Sequence, residues 1–131
     1  MTTPAPTVWH VDAITSVTDG DTLRIRRSRI VDIDGRHYRL SDHHPRGVPI
    51  RLAWVDTPEY RHDPEAAARA RADLQHWIEL HEFAHEPLTV ICYESAGWDR
   101  LLGDLIDSHG NSASQFLMGD RGWPPYNGGK A

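Results

Sequence analysis

Val48-Pro49-Ile50-Arg51-Leu52-Ala53-Trp54-Val55-Asp56-Thr57-Pro58-Glu59 is the stretch on which the fold turns. Ile50, Leu52 and Trp54 alternate with Arg51, Ala53 and Val55, the period-two pattern of a strand with two differently lined faces. The proline after Thr57 breaks the ladder and starts a turn. This strand and its exit carry an arginine, two carboxylates and a hydroxyl. Upstream, Asp19-Gly20-Asp21-Thr22 closes another apolar segment with a second acidic turn. Two strand ends that each present carboxylates can share a hard cation, and an arginine beside them can hold a phosphate. Taken singly, each segment also has a plainer reading, as an ordinary turn and as a proline-ended strand exit.

Working outward, Val8 to Val17 alternates imperfectly and reads as a first strand, whereas Thr22 to Arg26 alternates strictly. Asp34-Gly35 lies between Ile30–Ile33 and His37–Leu40, and that dipeptide is a strong hairpin signal because both residues tolerate positive φ. Residues 41–47 read as a loop. Asp63-Pro64-Glu65 announces a helix, with Asp63 as N-cap and Pro64 in the first helical position. Ala67, Ala70, Leu74, Trp77, Ile78 and His81 then recur every three or four residues and form one inward stripe. Leu88–Tyr93 and Leu101–Ile106 read as two more apolar strands. Asn111–Met118 reads as a short second helix that buries Phe116 and Leu117. Trp54 and Trp77 are assigned to the core.

These elements predict an α+β, mainly β chain. The architecture expected is a five-stranded OB-type barrel, with one long helix after the central strands and a short C-terminal helix. An extra hairpin is inserted around residues 26–49. The length of 131 residues fits one domain, with residues 1–7 and 127–131 as frayed ends. No basic start with an apolar stretch marks a secretory signal, and no apolar run reaches the roughly 20 residues of a membrane helix. A cytoplasmic monomer with no membrane contact is the expectation. The single cysteine, Cys92, lies in an apolar run and reads as a buried small hydrophobe.

The net charge of −5 is unevenly spread. Residues 24–51 hold eight arginines against three acids, and residues 52–131 hold six bases against thirteen acids. This balance weakens long-range steering toward nucleic acid without removing local phosphate contacts.

The two acidic segments and their order resemble the staphylococcal (thermonuclease-like) nuclease family. That family reads apolar-x-Asp-Gly-Asp-Thr before an alternating strand, here Val17-Thr18-Asp19-Gly20-Asp21-Thr22. It then reads Arg-x-x-x-(Ile/Val)-Asp-x-Pro-Glu, here Arg51 to Glu59, with a helix soon after. The resemblance spans about Val8 to Met118. It implies a Ca²⁺-dependent phosphodiesterase, an endonuclease acting on DNA and, as a further substrate, RNA, with the 5′ oxygen expelled. By resemblance, Asp21, Asp56 and the Thr57 carbonyl ligate calcium, with Asp19 a direct or water-bridged ligand. Glu59 orients or deprotonates the attacking water, and Arg51 and Arg100 clamp the phosphate. Asp99 stands where the family usually has glycine, which puts a carboxylate beside Arg100.

Further signals are weaker. Arg26, Arg27 and Arg29 are candidates for a DNA-backbone arm, against a merely solvated hairpin. Tyr126, in an aromatic-Pro-Tyr-Asn-Gly-Gly tail like that of smaller family members, is a candidate to contact phosphate or stack on a base, against simple packing of the tail. His37, His43 and His44 invite a zinc reading, but adjacent histidines without a second pair at ligand spacing make a poor signature. The rival to the enzyme is a catalytically silent OB-type module that binds single strands or a protein partner.

Overall fold

The computed structural model describes residues 6–95 and 101–126. Six strands and two helices follow in the order β1 (Thr7–Asp19), β2 (Thr22–Ile33), β3 (Arg36–Asp42), β4 (Val48–Leu52), α1 (Pro64–Phe83), β5 (Leu88–Ser95), β6 (Leu101–Asp107) and α2 (Ala113–Gln115). The strands hydrogen-bond in the order β1-β5-β6-β4-β2-β3, and β1 also pairs with β2. That last pairing closes β1, β2, β4, β6 and β5 into a five-stranded barrel of the OB type. All its pairings are antiparallel except β4 with β6.

The imperfect alternation of β1 has a structural cause. Its register with β2 slips between Val11 and Ala13, Ile14 and Ser16, and Val17 and Asp19. Such irregularities bend and twist a strand, which a small barrel needs in order to close. Strand β2 is long because it serves two structures. Thr22–Ile25 pairs with β4, and Arg27–Ile33 pairs with β3 in the inserted hairpin. The hairpin turn is Asp34-Gly35, with φ of 52° and 79°, as the dipeptide predicts.

The barrel interior is filled by Leu23, Ile25, Ile50, Leu52, Val90 and Leu105, all fully buried. Helix α1 covers one end with Ala67, Ala70, Leu74, Trp77 and Ile78. Its start is as the sequence indicates: the Asp63 carboxylate accepts from the Ala66 N–H at 3.1 Å, and Pro64 opens the first turn. Each large aliphatic side chain removed from water here contributes about 1.5–3 kcal/mol.

Two expectations are corrected. The strand that begins at Val48 stops at Leu52 rather than running to Val55. The Ala53 N–H still completes the parallel ladder on Gly103 O at 2.8 Å, and the chain bends at Ala53 and Trp54. The alternation therefore changes phase: Ala53 and Val55 are buried, and Trp54 is 51% exposed instead of lying in the core. The second helical segment, residues 113–120, lies two residues later than expected and changes geometry along its length. It is one α turn capped by Ser112, followed by a π-helical turn over Phe116–Asp120 that buries Leu117 and leaves Phe116 partly exposed.

Candidate functional site

Register alone brings the two acidic segments together. Thr22 pairs with Arg51, and Leu23 with Ile50, so the turn that precedes β2 lies beside the arginine of β4. The Leu52 N–H donates to Asp21 O at 2.7 Å and carries the ladder one step into that turn. Asp56 and Thr57 follow four and five residues after Leu52, at the same end of the barrel.

Arg51 is the hub. Its side chain is 11% exposed, and one guanidinium nitrogen, Nη1, donates to the carbonyls of Leu52 and Val55. The other, Nη2, stands 3.5 Å from Asp21 Oδ2 and 3.4 Å from Asp56 Oδ1. Two carboxylates from different strand ends thus face one point. Asp21 is buried and held further by the Thr22 hydroxyl on Oδ1 at 3.1 Å and the Thr57 N–H on Oδ2 at 3.1 Å. Asp56 is exposed and so has freedom to adjust. Asp19 ends β1 opposite Thr22, half-buried.

Gly20 explains how the first turn fits so tightly. A Cβ there would stand 2.5 Å from Ala70 Cβ and 2.9 Å from Thr57 Oγ1. The turn is wedged between helix α1 and the second acidic segment, and only glycine leaves room. Thr57 Oγ1 is buried beside it with no hydrogen-bond partner, an unsatisfied oxygen next to Asp21. Hard oxygen donors from Asp21, Asp56 and Thr57 therefore suit a calcium ion in chemical type. Among the described residues, however, Asp19, Asp21 and Asp56 are not gathered into a group with all ligand atoms within 4.8 Å of each other. The Arg51 guanidinium lies against both Asp21 and Asp56.

The C-terminal tail completes the wall. Asp56 N–H donates to Pro124 O, Tyr126 N–H donates to Trp54 O, and Val55 forms a bridge with Pro125. Trp123 anchors the tail to α1 through Nε1 on Asp73 Oδ2 at 2.8 Å. The tail packs on the barrel, and the Tyr126 ring lies 4.6 Å from the Arg51 guanidinium carbon. Trp54, displaced from the core, meets Tyr93 edge-on at 5.6 Å. These rings border a cleft of about 550 Å³ shared with Asp104, Ile106 and Met118. Asp104 is buried there, and burial lifts its carboxyl above the usual range against the opposing pull of the Ser114 donors.

Glu59 is exposed, and its ion pairs are with Arg61 at 3.3 Å and His62 at 3.7 Å. Arg100 and Asp99 lie outside the described residues. Arg27 is no free arm residue: it is buried, donates to Cys92 Sγ at 3.0 Å, pairs with Asp42 and stacks 4.1 Å from the Trp9 ring. Burial pushes the Cys92 thiol up, and the facing Arg27 only partly offsets it. Arg29 stacks on the same ring at 4.7 Å, and Arg26 donates to Pro45 O. Arg27 thus has a structural role at the base of the hairpin, whereas Arg26 and Arg29 are half-buried there.

One cluster escaped the sequence. His81, Glu86 and Asp107 converge, though they come from three separate segments. The only hint was a histidine inside the apolar stripe of α1; His43, by contrast, pairs with Asp12 at 2.7 Å. Comparison of the chain with protein-family models and with curated proteins yields no match.

Proposed function

We propose that this protein is a calcium-dependent nuclease that hydrolyses phosphodiester bonds of DNA, and of RNA as a further substrate, by in-line attack of water. The observation that supports it most is the Arg51 guanidinium held between Asp21 and Asp56 at the meeting of two strand ends. The resemblance of both segments to the staphylococcal nuclease family points the same way. Asp21, Asp56 and Thr57, with Asp19 beside them, would hold the ion. Bound there, calcium would supply positive charge to a phosphate oxygen.

Arg51 contributes preorganisation. A guanidinium tied to the carbonyls of Leu52 and Val55 does not have to reorganise as negative charge grows on the phosphate. Its planar fork can offer two donors to two oxygens, which lysine cannot copy. Arg100 is the second clamp by resemblance. Glu59 aligns or deprotonates the water. Its present pairs with Arg61 and His62 are solvent-exposed, worth little, and do not hold it from that task. Tyr126 and Trp54 offer ring faces for bases next to the scissile phosphate.

One observation favours binding without cleavage: Glu59 has no ion pair within the Arg51 centre, while the aromatic cleft stands ready for single strands. Plasmid nicking in Ca²⁺ and in EDTA, with Glu59→Ala alongside, separates the two. Calcium-dependent nicking abolished by the substitution supports the enzyme. Tight single-strand binding with no nicking leaves the binding module.

A further inference from the structure

His81 sits in the last turn of α1, Glu86 in the connection to β5, and Asp107 at the end of β6. One donor atom from each lies within 4.8 Å of the other two. The imidazole is the informative member. Its Nδ1 is 2.7 Å from Trp77 O, and a carbonyl only accepts, so Nδ1 carries the hydrogen. Nε2 faces Asp107 Oδ2 at 3.0 Å and Glu86 Oε2 at 3.7 Å. In a neutral ring that nitrogen is a bare lone pair, and a lone pair against two carboxylates is repulsive. The geometry calls for a cation at that point, either a proton on Nε2 or a metal ion.

The surrounding contacts favour a metal. Asp107 Oδ1 accepts from the backbone N–H groups of His109 and Asn111, both at 2.9 Å, and Oδ2, the oxygen that faces His81, also accepts from Asn111 Nδ2 at 3.2 Å. Glu86 Oε1 lies 2.7 Å from the Ser108 hydroxyl and 2.8 Å from His109 Nδ1. The Trp77 ring lies 4.0 Å from the imidazole, tilted by 38°. Each member thus has its outer heteroatom tied by a second partner while its inner atom turns to a common point, with Asn111 Nδ2 also fixing Asp107 Oδ2, the way protein ligands are aimed at metals. The His81, Glu86 and Asp107 side chains are 11%, 18% and 4% exposed. Among the described residues, both carboxylates form salt bridges with histidines alone.

We propose that His81, Glu86 and Asp107 form a binding site for a divalent transition-metal ion of the zinc type, separate from the Arg51 centre. One imidazole nitrogen with two carboxylate oxygens suits zinc, which takes four ligands of this kind. Calcium, which seeks six to eight oxygens, is served poorly. His81 and Asp107 border the cleft shared with Asn111 and Gln115, which leaves the fourth position to water. The ion fastens the end of α1 to the end of β6.

The test is calorimetric titration of the full chain, stripped with chelator, with Zn²⁺ near neutral pH in excess Ca²⁺. One zinc per chain is expected. Glu86→Gln and His81→Gln should each weaken it by at least about tenfold, whereas the double substitution His43→Gln/His44→Gln should leave it unchanged. Asp107 is avoided because its carboxylate also holds the following turn. Cobalt in place of zinc should give visible absorption in the wild type that Glu86→Gln loses, and circular dichroism checks that both variants stay folded. No stoichiometric uptake by the wild type overturns the proposal and leaves a proton as the cation. Uptake unaffected by Glu86→Gln and His81→Gln overturns it equally, by assigning the zinc to other histidines.

Discussion

Replacing Arg51 probes the proposed centre most directly, because two separable losses can be worked out from its contacts. The guanidinium donates to two backbone carbonyls and faces two carboxylates, one of them the buried Asp21. Among the described residues, Arg51→Ala leaves Asp21 with only the Thr22 hydroxyl and the Thr57 N–H. Removing one partner of such a buried pair costs about 3–5 kcal/mol. Against the roughly 5–15 kcal/mol that holds a domain together, this is a large share. Arg51→Lys keeps the charge but not the fork, and should cost clearly less stability. Turnover should behave differently. If the fork stabilises the transition state, both variants lose kcat on the order of 10²–10³. Urea denaturation followed by tryptophan fluorescence gives the first quantity. Plasmid nicking under conditions where each variant is folded gives the second. A folded Arg51→Lys protein with kcat within threefold of wild type would refute the clamp, whatever Arg51→Ala does.

Gly20→Ala should destabilise by about 1–3 kcal/mol, since the added methyl meets Ala70 and Thr57; the melting temperature should fall by several degrees. A companion Ala70→Gly should recover only part of this, because the Ala70 backbone carbon also lies 2.9 Å from the added methyl. Asp104 gives a pH signature. Its folded pKa is raised by burial, so its contribution to stability is fully present below the unfolded value and is lost as pH rises through the folded one. In urea titrations, Asp104→Asn should flatten the decline that sets in above the ordinary aspartate value of about 4, and parallel curves for the two proteins would exclude this role. Trp54→Ala should leave stability within about 1 kcal/mol, as its ring is half exposed, yet weaken single-stranded oligonucleotide binding by roughly 1–3 kcal/mol in fluorescence anisotropy.

Much of the scaffold was legible in the chain because local chemistry and long-range packing agree there. Asp63-Pro64 marks a helix start by capping geometry, Asp34-Gly35 marks a hairpin by backbone sterics, and the stripe from Ala67 to Ile78 faces the barrel. Trp54 was misplaced because alternation assumes an unbroken strand. The bend at Ala53 and Trp54 shifts the phase by one residue, and no local pattern reveals it. Arg27 reads as solvated in a basic run, yet its partners Trp9, Asp42 and Cys92 come from three other strands. The centre itself was half legible. Asp21, Arg51 and Asp56 meet through the β2–β4 register, as the paired motifs suggest. The surroundings of Glu59 depend on the loop before α1, which carries no periodic signal. His81, Glu86 and Asp107 were invisible, since three segments supply one residue each and only the closed barrel unites them.

The double duty of β2 has a practical corollary. Beyond Ser28 its residues leave β1 behind and pair only with β3, so Arg29–Ile33 forms an outrigger rather than a stave. At its tip, a side chain added at Gly35 would meet nothing within 4 Å. Foreign peptide spliced between Asp34 and Gly35 would therefore hang in solvent, far along the chain from both acidic turns. That tip is a natural port for an affinity tag or a tethered targeting domain.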